Sequence, residues 1–541
     1  MATNVLMVFP KFNPNSFWSM QEACDVWGAK CVAPPLGLIT VAALLPPDWT
    51  VRLVNCNAEA LNDRDIDWAD MVMTGGMLPQ QIDALKVIDR CQKRSKTVVV
   101  GGPDATSSPE IYDCADMLVL GEAEGVIDRF IDAWNGGKRS GLFEAEKFTV
   151  NVKRSPIPRF DLLTPKDYLY LGVQFSRGCP FNCEFCDIIE LYGRVPRSKD
   201  NAQMLSELDA LYQLGYRGHV DFVDDNLVGN KKALKIFLPA LIQWQQERGY
   251  PFRFSTEASI NLADDKQLLH LMGQANFFAI FVGIESSDTE TLISTQKKQN
   301  TKRSIADSIH RIYGAGMFVT AGFIVGFDTE KDNVAAQMIE CIEATSIPWC
   351  MVGLLTALPN TQLTRRLEKE GRFLGADWSG EGDQCTGGLN FTPLRARRDI
   401  WRDYRAVLAA VYEPAAFFER VRHVGHVMRR PALTRLPEAV PQRKSKVAAL
   451  RSRLKDYRAL GRVMWRMTVR RPDLRRHFWR TFIDCAKTNP AALDYVVMLM
   501  VVYLHLGTFA QSVIAELDRK IEQDRSSEAP TQPAIKTLQI A

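Results

Sequence analysis

Short apolar runs separated by stretches of helical periodicity recur through the first two thirds of this chain. From Asn4 to about Glu124 the runs are VLMVF, VRLVN at 51–55, MVMTGG at 71–76, VVVGG at 98–102 and MLVLGE at 117–122. Unbroken apolar runs, each followed by a helical segment, predict strands covered on both faces: a doubly wound, Rossmann-like α/β sheet over residues 1–136. Residues 137–169, with Pro156, Pro158 and Pro165, read as a linker with some strand of its own. A second series follows, with YLGVQFSRG at 170–178, HVDFVDDN at 219–226, FRFSTEAS at 252–259, AIFVGIES at 279–286, FVTAGFIVGF at 318–327 and MVGLLTALP at 351–359. Helical segments at 201–215, 231–248, 264–275, 288–314 and 331–346 lie between these runs. Six β/α units predict a partial or full (β/α) barrel over 170–370 rather than another open sheet. Residues 371–520 read as helical and strand-poor, and 521–541 as a disordered tail.

Open parallel sheets bind ligands beyond the carboxyl ends of their strands. In the first series those ends carry Thr74-Gly75-Gly76, Gly101-Gly102 and Gly121-Glu122. Each alone is equally well a tight turn in which glycine supplies positive φ; together they mark a ligand face. In the second series the strand ends carry Asp224, Asp225, Asn226, Glu257, Ser259, Glu285, Ser286 and Asp328.

Hydrophobic residues make up 46% and charged residues 24% of the chain, the proportions of a folded globular protein. The net charge of +4 hides a division: residues 391–480 hold 24 basic and 7 acidic residues, the rest 43 and 56. The basic stretch interleaves Arg with Trp401, Phe417, Phe418, Trp465, Phe478 and Trp479. It reads as a surface for anionic lipid head groups, as a helical cap with a solvated basic face, or as a nucleic-acid surface. The apolar run Tyr495–Leu504 is ten residues long, half of the roughly 20 a spanning helix needs, and reads as a continuation of that contact. Peripheral membrane contact through 391–510 is therefore expected. The amino terminus lacks the basic and apolar regions of an export signal, which predicts a cytoplasmic protein, peripheral on the inner membrane.

Twelve cysteines in 541 residues are too sparse for a disulfide scaffold and point to a reducing compartment. Cys179, Cys183 and Cys186 follow a predicted strand with C-x3-C-x2-C spacing. Such a loop can place three thiolates on three irons of a 4Fe–4S cluster and leave the fourth iron to a small-molecule ligand. A closed zinc site would need a fourth Cys or His, and the nearest downstream candidate is His219, in a separate strand.

The loop FSRGCPFNCEFC resembles the signature of the radical SAM superfamily, and the resemblance covers about 170–370. It implies a (β/α)6 partial TIM barrel in which S-adenosylmethionine (SAM) chelates the open iron and is cleaved to a radical that takes hydrogen from an unactivated carbon. It makes Cys179, Cys183 and Cys186 the cluster ligands and catalytic residues. It places Asp224 and Asp225 near the methionine moiety of SAM, Glu285 of GIES near the ribose, and Gly322, Gly326 and Phe185 beside adenine; Glu257 joins the set from its strand end. GFIVGFDTE departs from the superfamily's GxIxGxxE spacing, so Asp328 and Glu330 read either as part of that motif or as caps of the next helix.

The stretches PPLGLITVAALLP at 34–46 and VVVGGPDATSSPE at 98–110 resemble the cobalamin-binding domain that precedes many radical SAM barrels. The resemblance makes Thr74, Gly75, Gly76, Gly101, Gly102, Gly121 and Glu122 the cobalamin face. Many such domains supply a histidine as lower cobalt ligand, but all seven histidines here lie at 219 or beyond, and the second strand ends in Asn55-Cys56-Asn57. Water, a backbone group, an apolar side chain or the Cys56 thiol would meet the lower face. Weak axial donation eases reduction of cobalt, which favours methyl transfer through methylcobalamin over a structural cofactor or a domain that has lost it.

Within the superfamily, FSRGCPFNCEFCDIIELYGRVPRSK, FVDDNLVGNKK, STEASINLADD and LPNTQLTRRL are similar to the branch that includes the hopanoid C-2 and bacteriochlorophyll side-chain methyltransferases. This kinship implies a hydrophobic substrate, first a hopanoid lipid methylated at C-2 and second a tetrapyrrole methylated or cyclised, with flavodoxin or ferredoxin as electron donor. An RNA-directed methylthiotransferase would carry a second cluster, and Cys341, Cys350 and Cys385 form no second compact triplet. That argues against a nucleic-acid partner. The intact cysteine loop argues against a non-catalytic cobalamin sensor.

Overall fold

The first sheet contains six parallel strands, β1 (Asn4–Phe9), β2 (Thr50–Asn55), β3 (Met71–Gly75), β4 (Thr97–Gly101), β5 (Met117–Leu120) and β6 (Gly141–Glu144). Their order is β2-β1-β3-β4-β5-β6. Side chains alternate across it: Leu6, Val8, Val72, Val98 and Val100 enter one apolar layer, Val5, Met7, Met71, Met73 and Val99 the other. Two buried faces explain why these strands read as unbroken apolar runs. β6 lies in the stretch read as a linker, yet Gly141 to Glu144 pair with β5. Only Phe143 of its four residues is buried, so no apolar run announced it.

This computed structural model describes residues 2–375, 384–430, 433 and 458–528. The expectations for 376–383, for most of 431–457 and for 529–541 lie outside the described residues.

The second sheet begins at β7 (Leu171–Val173). The chain then leaves it for a short antiparallel ribbon, β8 (Ser176–Arg177) and β9 (Arg197–Ser198), which brackets the cysteine loop. The predicted run 170–178 is thus two strands broken at Gln174. The sheet resumes with β10 (Gly218–Phe222), β11 (Phe252–Glu257), β12 (Phe277–Glu285), β13 (Phe318–Val325) and β14 (Trp349–Leu354). All neighbours are parallel and in sequence order, with β7 and β14 at the two edges, which is an open six-stranded barrel. The expected helix 288–314 is two helices, Thr289–Ser294 and Ile305–Gly314. Between them TQKKQNTKRS offers no apolar side chain to bury, and Gln296 adopts φ 59°.

The carboxyl-terminal helices share one core with the barrel. Helix Leu493–Glu528 packs against helices Arg397–Val411, Pro414–Val427, Arg475–Thr488 and Gln21–Trp27. Tyr495 stacks on Phe278 at 5.9 Å, at the amino end of β12, and Phe17 meets Phe509 at 6.0 Å. Pro490–Asp524 is long and apolar enough to cross a membrane, but 72% of its apolar window is buried in the protein. The run Tyr495–Leu504 is therefore a core element and does not extend a membrane contact. Phe417, Phe418 and Phe478 are likewise buried. The helix also continues to Glu528 through residues expected in the tail.

Candidate active site

The cysteine loop is held from several sides. Cys179 N donates to Gly193 O (3.2 Å) and Glu184 N to Thr295 O (3.0 Å), while Leu363 N donates to Glu184 O (2.9 Å). The Asn182 amide exchanges hydrogen bonds with Gln296 (2.8 Å) and Gln362 (3.1 Å). Arg366 grips the Glu184 carboxylate at 2.6 Å. A loop fixed this way needs little reorganisation to receive a ligand.

Asp224 and Asp225 support that loop directly. Asp224 is 1% exposed and accepts from Phe175 N (2.9 Å) and from Ser176 N and Oγ. Asp225 accepts from Gly178 N (2.9 Å), next to Cys179. Burial pushes Asp224 up to about 7 and Asp225 up to about 6, against these hydrogen bonds. Both carboxyls, expected beside methionine, accept from the backbone entering the cluster loop.

Around the thiols, Asn226 Nδ2 donates to Cys179 Sγ (3.6 Å) and Gln299 Nε2 to Cys183 Sγ (3.7 Å). Burial raises the Cys179 and Cys186 thiols, and the neighbouring Cys183 raises both further. Lys297 Nζ lies 2.8 Å from Glu285 Oε1 and 5.9 Å from the Phe185 ring centroid. Burial would depress this ammonium, but Glu285 and Cys183 hold it above its ordinary value. Nothing in the sequence motifs singles out Lys297, Gln296 and Gln299, which lie within 288–314, where the periodicity predicts one helix. The all-polar run 295–304 was the available signal.

Glu285 sits at the end of β12 in the left-handed region, φ 66°. A Cβ on Gly283 would come within 2.2 Å of Glu285 Oε1, so glycine there lets the carboxylate fold back over the strand. Gly322 lies beside Gly283 in register, and Phe185 packs on Phe327 at 5.7 Å. Gly326, Glu285 and Phe185 thus stand around one mouth of the barrel. Glu330 closes the turn by accepting from Gly326 N (2.8 Å), and Asp328 binds Arg366 and Arg372. Neither residue caps the next helix.

Below this mouth the wall of β10 and β11 is polar. Ser255 Oγ is hydrogen-bonded to Asp221 and, at 2.6 Å, to His219 Nε2. Tyr170 and Phe278 lie against the His219 ring. Burial and Arg253 hold His219 well below its ordinary value, so it is neutral. Burial and the nearby Asp221 raise the Glu257 carboxyl, whose Oε2 is buried with no hydrogen-bond partner. With His219 committed here, it cannot close a zinc site on the cysteine loop. Among the described residues no three His, Cys, Asp or Glu side chains converge as a single-ion site.

On the first sheet, Gly75 and Gly101 are paired at the strand ends, where a Cβ on Gly75 would lie 2.3 Å from Gly101 O. With Gly76, Gly102 and Gly121 they leave a ledge of bare backbone, a fit for a broad flat ligand. Thr74 is buried there, and its hydroxyl donates to Val8 O (2.9 Å). Glu122 is also committed: its carboxylate binds Arg177 (3.0 Å) and Arg197 (2.7 Å), and Glu124 binds Arg177 at 2.8 Å. These buried pairs join the ledge to the ribbon that brackets the cysteine loop. Cys56 packs beside the apolar layer, and burial pushes its thiol up to about 11.

Comparison with known proteins settles the lineage. Radical SAM superfamily similarity covers residues 173–342, and a domain of unknown function, DUF4070, covers 361–519. The chain is 40% identical to an uncharacterized methyltransferase of Synechocystis, across 99% of both chains. It is 33% identical to the hopanoid C-2 methylase of Rhodopseudomonas palustris, across 94% of both. The chain belongs to the radical SAM superfamily. Its fold matches the cobalamin-dependent S-adenosylmethionine radical enzyme OxsB with a TM-score of 0.58 at 15% identity, over 98% of this chain and 82% of OxsB. The match extends beyond the radical SAM barrel to both flanking regions.

Proposed function

We propose that this radical SAM protein is a cobalamin-dependent methyltransferase that methylates an unactivated carbon of a hydrophobic molecule, a hopanoid lipid at C-2. The observation that carries the substrate is the end-to-end relationship to the hopanoid C-2 methylase. Cys179, Cys183 and Cys186 would hold the 4Fe–4S cluster, with Asn226 and Gln299 donating to two of the sulfurs. Phe185, Glu285, Gly322, Gly326 and Lys297 would frame SAM, and Glu257 faces the same mouth from β11. Gly75, Gly76, Gly101, Gly102 and Gly121 would form the floor for cobalamin. When bound, the cluster and SAM supply the radical that removes a substrate hydrogen, and cobalamin supplies the methyl group.

The residues of this chain position and shield that chemistry. Asp224 and Asp225 fix the backbone entering the cysteine loop; the Glu122–Arg177–Glu124 pairs fix the cobalamin floor against it. Flavodoxin or ferredoxin would deliver electrons, in the cytoplasm. Reconstituted enzyme offered methyl-labelled SAM with either a hopanoid-containing lipid extract or bacteriochlorophyllide tests the choice. Label in a C-2 methylhopanoid is expected; label in the tetrapyrrole alone would overturn the lipid assignment.

A further inference from the structure

The outward side of residues 458–488 takes no part in the site described above. Val463, Met467, Leu474, Phe478 and Cys485 face the core, and Trp479 Nε1 donates to Thr468 Oγ1 (3.1 Å), locking the two helical segments side by side. Away from the core, Trp465 is 52%, Val469 58% and Ile483 45% exposed. Arg470, Arg476, Arg480 and Lys487 are exposed around them. Positions 465 and 469 lie one turn apart, as do 476, 480, 483 and 487, so each segment presents one continuous stripe. The Arg470 guanidinium lies 5.5 Å over the Trp465 ring. The two acidic side chains at the edge, Asp473 and Asp484, are matched by Arg471 and by Arg422 and His426.

We infer that this face is a docking surface for an anionic lipid bilayer. It rests on the lipid-substrate reading for its purpose but not for its evidence. Among the described residues elsewhere in the basic region, several charges are spent internally: Arg395 on Asp403, Arg405 on Asp518, Arg420 on Glu343 and Arg430 on Asp494. A second copy of the chain, docked face to face, would bring the same positive charges into apposition. Nucleic acid would use the arginines but has no stacking partner in Val469 and Ile483. A bilayer uses both kinds of group: phosphates meet the guanidinium groups while Trp465, Val469 and Ile483 enter the head-group boundary. The surface would hold the enzyme against the phase in which a polycyclic lipid is dissolved.

Co-sedimentation of the full-length protein with phosphatidylcholine vesicles, with and without phosphatidylglycerol, tests this. Binding is expected only to the anionic vesicles, and should weaken on the order of tenfold or more in an Arg476→Glu/Arg480→Glu variant, since each basic residue contributes roughly fivefold. The Arg476→Gln/Arg480→Gln variant should fall between the two, and circular dichroism reports whether each is folded. In Trp465→Phe the fluorescence blue shift on vesicle binding should shrink. Equal binding by the folded Glu variant, indifference to vesicle charge, or displacement from vesicles by an RNA oligonucleotide would overturn the inference. Vesicle binding without lipid methylation would leave the docking surface standing and remove the substrate; methylation of detergent-dispersed lipid by a protein that binds no vesicles would do the reverse.

Discussion

Lys297 stands where Glu285, Phe185 and the cluster thiols meet. Replacing it with Met removes a positive charge beside the sulfurs, which the oxidised cluster tolerates better than the reduced one. The cluster's reduction potential is expected to fall on the order of 50 mV, about 1 kcal/mol, in a titration followed by electron paramagnetic resonance. An unchanged potential would place the ammonium's influence elsewhere. The cysteines were legible in the sequence because their chemistry depends on spacing within eight residues. Lys297 was not, because its partners are brought to it by the fold: Glu285 across a strand end, Cys183 from a loop more than a hundred residues earlier. Glu122 shows the same limit. Its place at a strand end was readable, but its arginine partners lie 55 and 75 residues away.

At the level of elements, the turn from β10 into Asp224 and Asp225 makes the apoprotein sensitive to pH. Burial raises both carboxyls, Asp224 from 3.8 to about 7 and Asp225 from 3.8 to about 6. Well below pH 3.8 they are protonated folded and unfolded alike and contribute no pH dependence. Between about 4 and 7 the unfolded chain releases these protons while the folded one retains them, so stability falls as pH rises. Asp224→Asn should flatten this slope by up to one proton, read from urea midpoints of the apoprotein at several pH values. An identical slope in the variant would show that Asp224 is already ionised in the fold. The strands themselves were readable, since both sheets are covered and their runs are apolar. The break after Ser294, the edge strand β6 and the burial of Tyr495–Leu504 were not: each depends on what packs against the element. A hydrophobic run beside a basic region looks the same in sequence whether its partner is lipid or the protein's own helices.

Across the whole molecule, the first sheet and the barrel are tied by Arg177, Arg197, Glu122 and Glu124. Burial would raise Glu124, but its hydrogen bonds to Arg177 hold it down at about 2. Arg177→Ala would strand the buried Glu124 carboxylate and leave Glu122 to Arg197 alone; it is expected to cost about 3–5 kcal/mol, seen as a lower thermal midpoint with the first sheet melting ahead of the barrel. A single transition at the wild-type temperature would mean that apolar contacts alone join the two parts. The measurement that bears most directly on the function is an anaerobic assay of the iron-reconstituted, cobalamin-loaded enzyme with dithionite, methyl-labelled SAM and a hopanoid-containing lipid extract. 5′-Deoxyadenosine and S-adenosylhomocysteine should form together with labelled lipid, and Cys183→Ala should abolish 5′-deoxyadenosine and labelled lipid. 5′-Deoxyadenosine without S-adenosylhomocysteine or labelled lipid would contradict methyl transfer and leave a radical rearrangement or cyclisation in its place.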